Sequence, residues 1–231
     1  LEKLAPEFGS YTLLCSHNSP VMEGAGYSLL VAIAALAGGS ILALLAAMAK
    51  MSKSKILRVI ANVYVEVIRG TPMMLQIVIL YLCGPVITRT LFHYVFTPNP
   101  LVVGTIAIGI NSGAYTSELF RSAIQSIDKG QWEAAKTIGL NYWQTMKEII
   151  LPQAFKRVLP PYINEFIVLI KDSSLLASIG AVELLHGAQV LGANYYNYMI
   201  PLLCATVMYL VMTMTISHFA RKLERRLAQS D

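Results

Sequence analysis

Five apolar stretches, each close to the length of a bilayer crossing, constrain this chain more than any other feature. They run from about 27 to 49, 71 to 88, 101 to 122, 161 to 185 and 199 to 219. A helix needs roughly 20 such residues to cross the hydrocarbon core. A chain that is 55% hydrophobic and 13% charged, with mean hydropathy +0.57, lies outside the usual range of soluble domains. The expected fold class is therefore all-α integral membrane, with about five transmembrane helices. The first stretch holds Gly38-Gly39 and many alanines. An amphipathic segment from Ile56 precedes the second, and the fourth carries Lys171 and Asp172 inside it.

Lys and Arg in the short loops set the orientation, because cytoplasmic loops carry the excess. The first loop holds Lys50, Lys53, Lys55 and Arg58. The loop between the third and fourth stretches holds Lys129, Lys136, Lys147, Lys156 and Arg157, and the tail holds Arg221, Lys222, Arg225 and Arg226. The remaining flanks hold only Lys3 and Arg89. The two groups alternate as five spans require, which predicts an outside N-terminus, with the long loop and the C-terminus in the cytoplasm. The net charge of +5 thus reflects membrane borders rather than a nucleic-acid surface.

Residues 1–23 read as an external segment, 24–220 as one transmembrane domain with a cytoplasmic loop at 127–157, and 221–231 as a basic cytoplasmic tail. Glu2, Glu7 and His17, with no basic start before an apolar run, do not make a signal peptide. The chain opens on Leu1 without an initiator methionine, which reads as a trimmed or processed form. Tyr11 to Cys15 reads as a membrane-surface segment. Cys15, Cys83 and Cys204 lack metal or redox spacing. A Cys15–Cys83 disulfide on the outer side is open, with burial as thiols the favoured reading. No internal repeat of the kind secondary carriers show is visible.

The long loop reads QWEAAKTIGLNYWQTMKEIILPQA from Gln131 to Ala154. Asp128 suits a helix start, with Gln131 three residues on in the manner of a capping box. Gly139 suits a left-handed helix stop. Asn141, followed by Gln144, suits a second start, and Pro152 ends or kinks that helix. On the first helix Trp132, Ala135 and Gly139 share a side, whose small residues would admit another protein, with Glu133 and Lys136 flanking. From periodicity alone a plain connecting hairpin is the better reading.

The spacing Glu133-Ala134-Ala135, then Gly139, then Ile149-x-Leu151-Pro152 resembles the EAA loop of membrane permease subunits of ATP-binding-cassette importers. YVEVIRGTPMMLQ (64–76), INSGAYTSELFRSAI (110–124) and LIKDSSLLASIG (169–180) resemble the polar amino-acid-uptake branch, with its glutamine-, cystine- and histidine-type permeases. The resemblance implies a type I importer fold in a bacterial cytoplasmic (inner) membrane. It implies that Glu133, Ala134, Ala135 and Gly139 belong to a coupling helix docked on a separate ATPase subunit. It also implies a second permease subunit, the same or homologous, and an extracytoplasmic substrate-binding protein. INSGAYTSE leans toward glutamine-type permeases and SIDKGQWEAA toward cystine-type ones.

Ionisable groups at membrane depth are costly and point to function. Asn111, Tyr115 and Glu118 recur at i, i+4 and i+7 and so share a helix face, with Ser112 nearby. Lys171, Asp172 and Ser173 fall near the middle of the fourth stretch. A zwitterionic amino acid offers an ammonium that Glu118 or Asp172 suits, and a carboxylate that Lys171, Asn111 or Ser173 suits. The alternative is internal: Lys171 pairs with Glu118 or Asp172 and merely joins two helices. Both readings stand at this point.

Glu66-x-x-Arg69-Gly70-Thr71-Pro72 predicts a helix break at the inner edge of the second stretch. Arg69 reads as an interfacial anchor and Gln76 as the pore-lining candidate. Glu183 and His186 read as surface or gate residues rather than metal ligands, and no metal site is expected.

No Gly is followed by Lys, so the chain lacks the phosphate-cradling G-x4-G-K-[ST] loop, and no catalytic constellation appears. ATP and Mg are expected on the partner ATPase, and the chain itself needs no cofactor. The expected function is an ATP-driven amino-acid importer's permease subunit. An ion-coupled secondary carrier, or a non-transporting membrane scaffold, is the rival.

Overall fold

A computed structural model describes residues 19–94 and 98–228. The expectations for Tyr11 to Cys15, for His17 and for a Cys15–Cys83 bridge fall outside these residues. In chain order the helices are α1 (Pro20–Met51), α2 (Lys55–Gly70), α3 (Met73–Phe92), α4 (Pro100–Gln125), α5 (Lys129–Thr137), α6 (Tyr142–Thr145), α7 (Leu151–Asp172), α8 (Leu184–Asn194) and α9 (Met199–Ala228). A π-helical turn, Met146–Ile150, joins α6 to α7, and a 3-10 segment, Ser173–Ile179, follows α7. No strand occurs among the described residues.

Local chemistry fixes most of these boundaries. Ser19 caps α1 by accepting the Met22 N–H at 3.2 Å, and Pro20 occupies the first turn, where its missing N–H costs nothing. The helix therefore starts several residues before the apolar run. Asn99 caps α4 through the Leu101 N–H at 2.9 Å. The expected break after Arg69 is present: α2 stops at Gly70 and α3 begins after Pro72. The basic stretch Arg221–Arg226 is helical and continues α9.

Among the described residues three helices, α1, α3 and α9, are both long and apolar enough to cross a membrane. At 26 and 22 residues, α4 and α7 also have a spanning length of about 30 Å or more. They carry the polar residues of the candidate site and lie among the other helices. α1 and α4 are the central pair. A Cβ placed on Gly39 of α1 would lie 2.8 Å from the Gly109 carbonyl oxygen of α4. The glycine is what allows the two backbones to approach so closely. Val31, Ala32, Ala35, Ile77, Ile108, Leu169 and Leu176 bury the apolar centre around this crossing.

The fourth apolar stretch is not one span. α7 ends at Asp172, the 3-10 segment closes at a left-handed Gly180 (φ 74°), and α8 starts after Glu183. Eleven residues of α8 make about 16 Å of helix, too short to cross. Hydropathy alone cannot see this, because the residues on both sides of the break are equally apolar.

Glu183 is not a surface or gate residue but is fully buried. Its carboxylate caps α8 by accepting the Leu185 and His186 N–H groups at 2.9 and 2.7 Å. It also accepts from the Tyr209 hydroxyl of α9 at 2.8 Å and faces Ser28 of α1 at 3.5 Å. One carboxylate thus ties three helices together. Glu183→Ala removes the cap, worth about 1 kcal/mol, and takes the carboxylate acceptor from the half-buried Tyr209 hydroxyl, worth a further ~1 kcal/mol. The expected result is a lower melting temperature of the detergent-solubilised protein. Glu183→Gln, which keeps an acceptor oxygen, is expected to lose less.

Candidate functional site

The break between α2 and α3 creates the first part of the site. Pro72 has no N–H, so the Ile68 carbonyl loses its helical donor. The Gln76 amide fills the gap: its Nε2 donates to Ile68 O at 2.8 Å and to Thr71 Oγ1 at 2.7 Å. With its nitrogen held there, Gln76 presents Oε1 to α4. Asn111 Nδ2 donates to it at 2.9 Å. The amide pair is therefore oriented by the backbone break itself.

One residue on, Ser112 Oγ donates to Glu165 Oε1 of α7 at 3.0 Å. Glu165 is only partly exposed and lies seven residues before Asp172, so the two carboxylates share a helix face. Tyr115, 40% exposed, continues the Asn111 stripe toward the loop end of α4. Arg69 sits over it, with Cζ 5.1 Å from the ring centroid, a cation–π contact. Arg69 thus faces the same stripe rather than serving only as an anchor.

The other expected site residues are placed differently. Ser173 is buried, and its hydroxyl donates back to Ile170 O at 2.7 Å. Lys171 is exposed. Among the described residues neither Lys171 nor Asp172 enters a salt bridge, so the internal alternative, Lys171 paired with Glu118 or Asp172, finds no ion pair here. Glu118 is held instead by Lys50, at the end of α1, and by Arg121 Nη2 at 2.7 Å. The end of α1 meets the loop end of α4, whereas Lys171 lies in the last turn of α7, at the end away from the loop.

The structure adds Glu165, Lys50 and Arg121 to the residues singled out in the sequence. Glu165 had a visible signal: it is a further ionisable residue inside the fourth apolar stretch, with Lys171, Asp172 and Glu183. The partnership of Lys50 with Glu118 had none, because 68 residues separate them.

The long loop is a compact corner. Asp128 caps α5 by accepting the Gly130 N–H at 2.6 Å. Gln131 does not reciprocate as expected; its side chain accepts from Gln153 Nε2 at 3.2 Å. The second cap forms in full: Asn141 Oδ1 accepts from Gln144 N, and Gln144 Oε1 accepts from Asn141 N. Gly139 takes φ 80°. Its N–H donates to Lys136 O and the Leu140 N–H to Ala135 O, each at 3.0 Å, the two bonds of a Schellman stop.

The faces of α5 are reversed from expectation. Ala135 is fully buried, and Trp132 packs with Ile150, Ala154 and Val158 while stacking on Tyr142. The large apolar ring drives that side inward. The exposed side carries Glu133, Ala134, Lys136, Thr137, Ile138 and Gly139. An apolar cavity of about 570 Å³ lies between α1, α4, α7 and the Tyr142–Trp143 corner. Its lining offers almost no partner for a zwitterion, and the Asn111 and Glu165 cluster is not part of it. Among the described residues no group of His, Cys, Asp and Glu could hold a metal ion.

Residues 39–229 match the family described as binding-protein-dependent transport system inner membrane component. The chain belongs to this family. The glutamine transport system permease protein GlnP of Escherichia coli K12 is 38% identical over 207 residues, 90% of this chain and 92% of that protein. A probable amino-acid ABC transporter permease protein of Bacillus subtilis is 38% identical over 208 residues, 90% of this chain and 89% of that protein. A crystal structure of an amino acid ABC transporter with histidines superposes with TM-score 0.84 at 33% identity, covering 95% of this chain and 97% of that one. The inward-facing methionine transporter MetNI, at 16% identity and TM-score 0.72, shares the fold. The protein is thus the permease subunit of an ABC amino-acid importer, a transport component of the inner membrane, and ATP hydrolysis belongs to a separate subunit.

Proposed function

We propose that the permease imports a polar amino acid of the glutamine class through the Gln76, Asn111, Ser112 and Glu165 cluster, with Asp172 and Tyr115 beside it. The Gln76–Asn111 pair is the observation that carries this reading. Two neutral amides, oriented by the Pro72 break, can exchange their mutual hydrogen bond for bonds to a carboxylate or a side-chain amide. Glu165, with Ser112 donating to it, offers an acceptor for the ammonium. The relatives named as glutamine permeases support the same substrate class. The partners in this reading are two ATPase subunits that bind ATP and Mg, a second permease subunit and an extracytoplasmic binding protein. The exposed face of α5, with Glu133, Ala134 and Gly139, docks on the ATPase.

The assembled complex in vesicles, loaded with its binding protein, is expected to hydrolyse ATP faster with glutamine-class amino acids than with apolar ones. Equal stimulation across the panel would remove the substrate assignment. Asn111→Leu is expected to lower substrate-stimulated uptake while basal hydrolysis persists.

The orientation has its own test. Gln131→Cys is expected to react only with thiol reagents that reach the cytoplasm, and Asn99→Cys with external ones. Labelling of position 131 from outside intact cells would overturn the orientation and the docking of α5 with it.

A further inference from the structure

The apolar cavity at the loop corner takes no part in the substrate cluster, and its surroundings describe a different ligand. Its α1 wall is Leu44, Met48 and Met51, in the last apolar turns of that span. Lys53 and Lys55 follow at once. Apolar turns that give way to lysines mark the level where hydrocarbon meets head groups, and aromatic rings gather at the same level. Tyr142 and Trp143 of the corner and Phe155 of α7 supply those rings to the cavity wall. The methionines let the lining adapt to a flexible guest. A cavity of about 150 Å³ holds one benzene. By that measure about 570 Å³ holds on the order of twenty carbon atoms, the size of one acyl chain.

A second cavity of about 450 Å³ shares the Tyr142–Trp143 wall with the first, and Asn141, Gln144, Lys147 and Glu148 line it. The two rings of the wall meet edge to face with centroids 5.7 Å apart. The capping box uses Asn141 Oδ1 and Gln144 Oε1. The amide nitrogens of these two side chains bond to nothing among the described residues. Lys147 Nζ lies 3.7 Å from Glu148 Oε1, with the two side chains 82% and 63% exposed. So exposed a pair is weak, and either member can exchange it for a ligand. One side of the wall thus accepts hydrocarbon. The other offers an ammonium and two amide donors beside a single carboxylate.

We propose that the corner binds one phospholipid with a phosphate–ammonium head group, a phosphatidylethanolamine, whose acyl chain fills the apolar cavity. The phosphate accepts from Lys147 Nζ and from the Asn141 and Gln144 amides, and the lipid ammonium donates to Glu148. Other head groups fit less well. Phosphatidylglycerol sets an uncompensated anion beside Glu148. Phosphatidylcholine keeps the positive charge, but its methyl groups remove the N–H donors. The difference in each case is one charge-assisted hydrogen bond. The bound chain packs the corner against α1 and α7, and none of this depends on which amino acid is carried.

Native mass spectrometry of the complex tests the site. The complex with its ATPase subunits, stripped of lipid by detergent exchange, is titrated with the dioleoyl forms of phosphatidylethanolamine, phosphatidylcholine and phosphatidylglycerol. One phosphatidylethanolamine per permease chain is expected to bind about tenfold more tightly than either of the others, the equivalent of about 1.4 kcal/mol. Lys147→Ala with Glu148→Ala is expected to erase that preference and leave the melting temperature unchanged, since both side chains are exposed. Ala154 is buried and lines the cavity, so Ala154→Phe is expected to weaken all three lipids alike. If Ala154→Phe fails to assemble, the Lys147 and Glu148 variant decides alone. Equal binding of the three lipids, tighter binding of phosphatidylglycerol, or a preference that survives the double variant would each overturn the proposal. So would lipid held by the lone permease and absent from the complex, since a partner subunit would then cover the wall.

Discussion

Gly139→Val is expected to abolish ATP-driven uptake while the permease still inserts and assembles its membrane helices. Gly139 sits at φ 80° with open space around it. A side chain there meets no neighbour, so the penalty is conformational. A left-handed residue other than glycine costs roughly 1–2 kcal/mol, and a β-branched one is a genuine outlier. Valine therefore unwinds the two Schellman bonds and re-aims the exposed face of α5, which the proposal docks on the ATPase. Asparagine tolerates the left-handed region, so Gly139→Asn is expected to keep most of the uptake. Glu133→Lys, which reverses a charge on the exposed face, is expected to uncouple without disturbing the corner. Normal uptake in vesicles with both Gly139→Val and Glu133→Lys would end the docking assignment.

The second large effect concerns Glu118. Its carboxylate holds Lys50 of α1 and Arg121 of its own helix, with side-chain exposures of 18%, 14% and 32%. Removing one member of a buried pair costs on the order of 3–5 kcal/mol, because the other charge is stranded. The partial exposure here lowers that toward about 1–3 kcal/mol. Glu118→Gln is expected to reduce yield and melting temperature. Lys50→Gln in the same chain is expected to restore much of both, with substrate affinity unchanged. Asp172→Asn, which breaks no salt bridge, is expected to leave stability near that of the parent and to alter substrate selection. Weakened substrate affinity in the restored double variant would return Glu118 to the pathway and sink its reading as a tie between α1 and α4.

The sequence by itself determined what depends on neighbours within a few residues. The apolar runs gave the long helices, because a bilayer crossing needs only length and hydropathy. The Pro72 break, the Asn141–Gln144 capping box and the left-handed Gly139 were all legible, since each is a backbone demand met by an adjacent side chain. The loop spacing gave the family for the same reason. Tertiary structure decided everything that depends on how helices rotate and which ends meet. It paired Glu118 with Lys50 rather than Lys171, because α1 and α4 run parallel and bring their ends together. It buried Ala135 and turned Glu133, Ala134 and Ile138 outward, because Trp132 has more apolar surface to cover than its neighbours. It brought Glu165 to Ser112, and it sealed Glu183 among three helices. An apolar run reads the same whether it is one span or two half-helices. Only the packing around residues 173–183 reveals the break, because the backbone groups it frees must find partners within the fold.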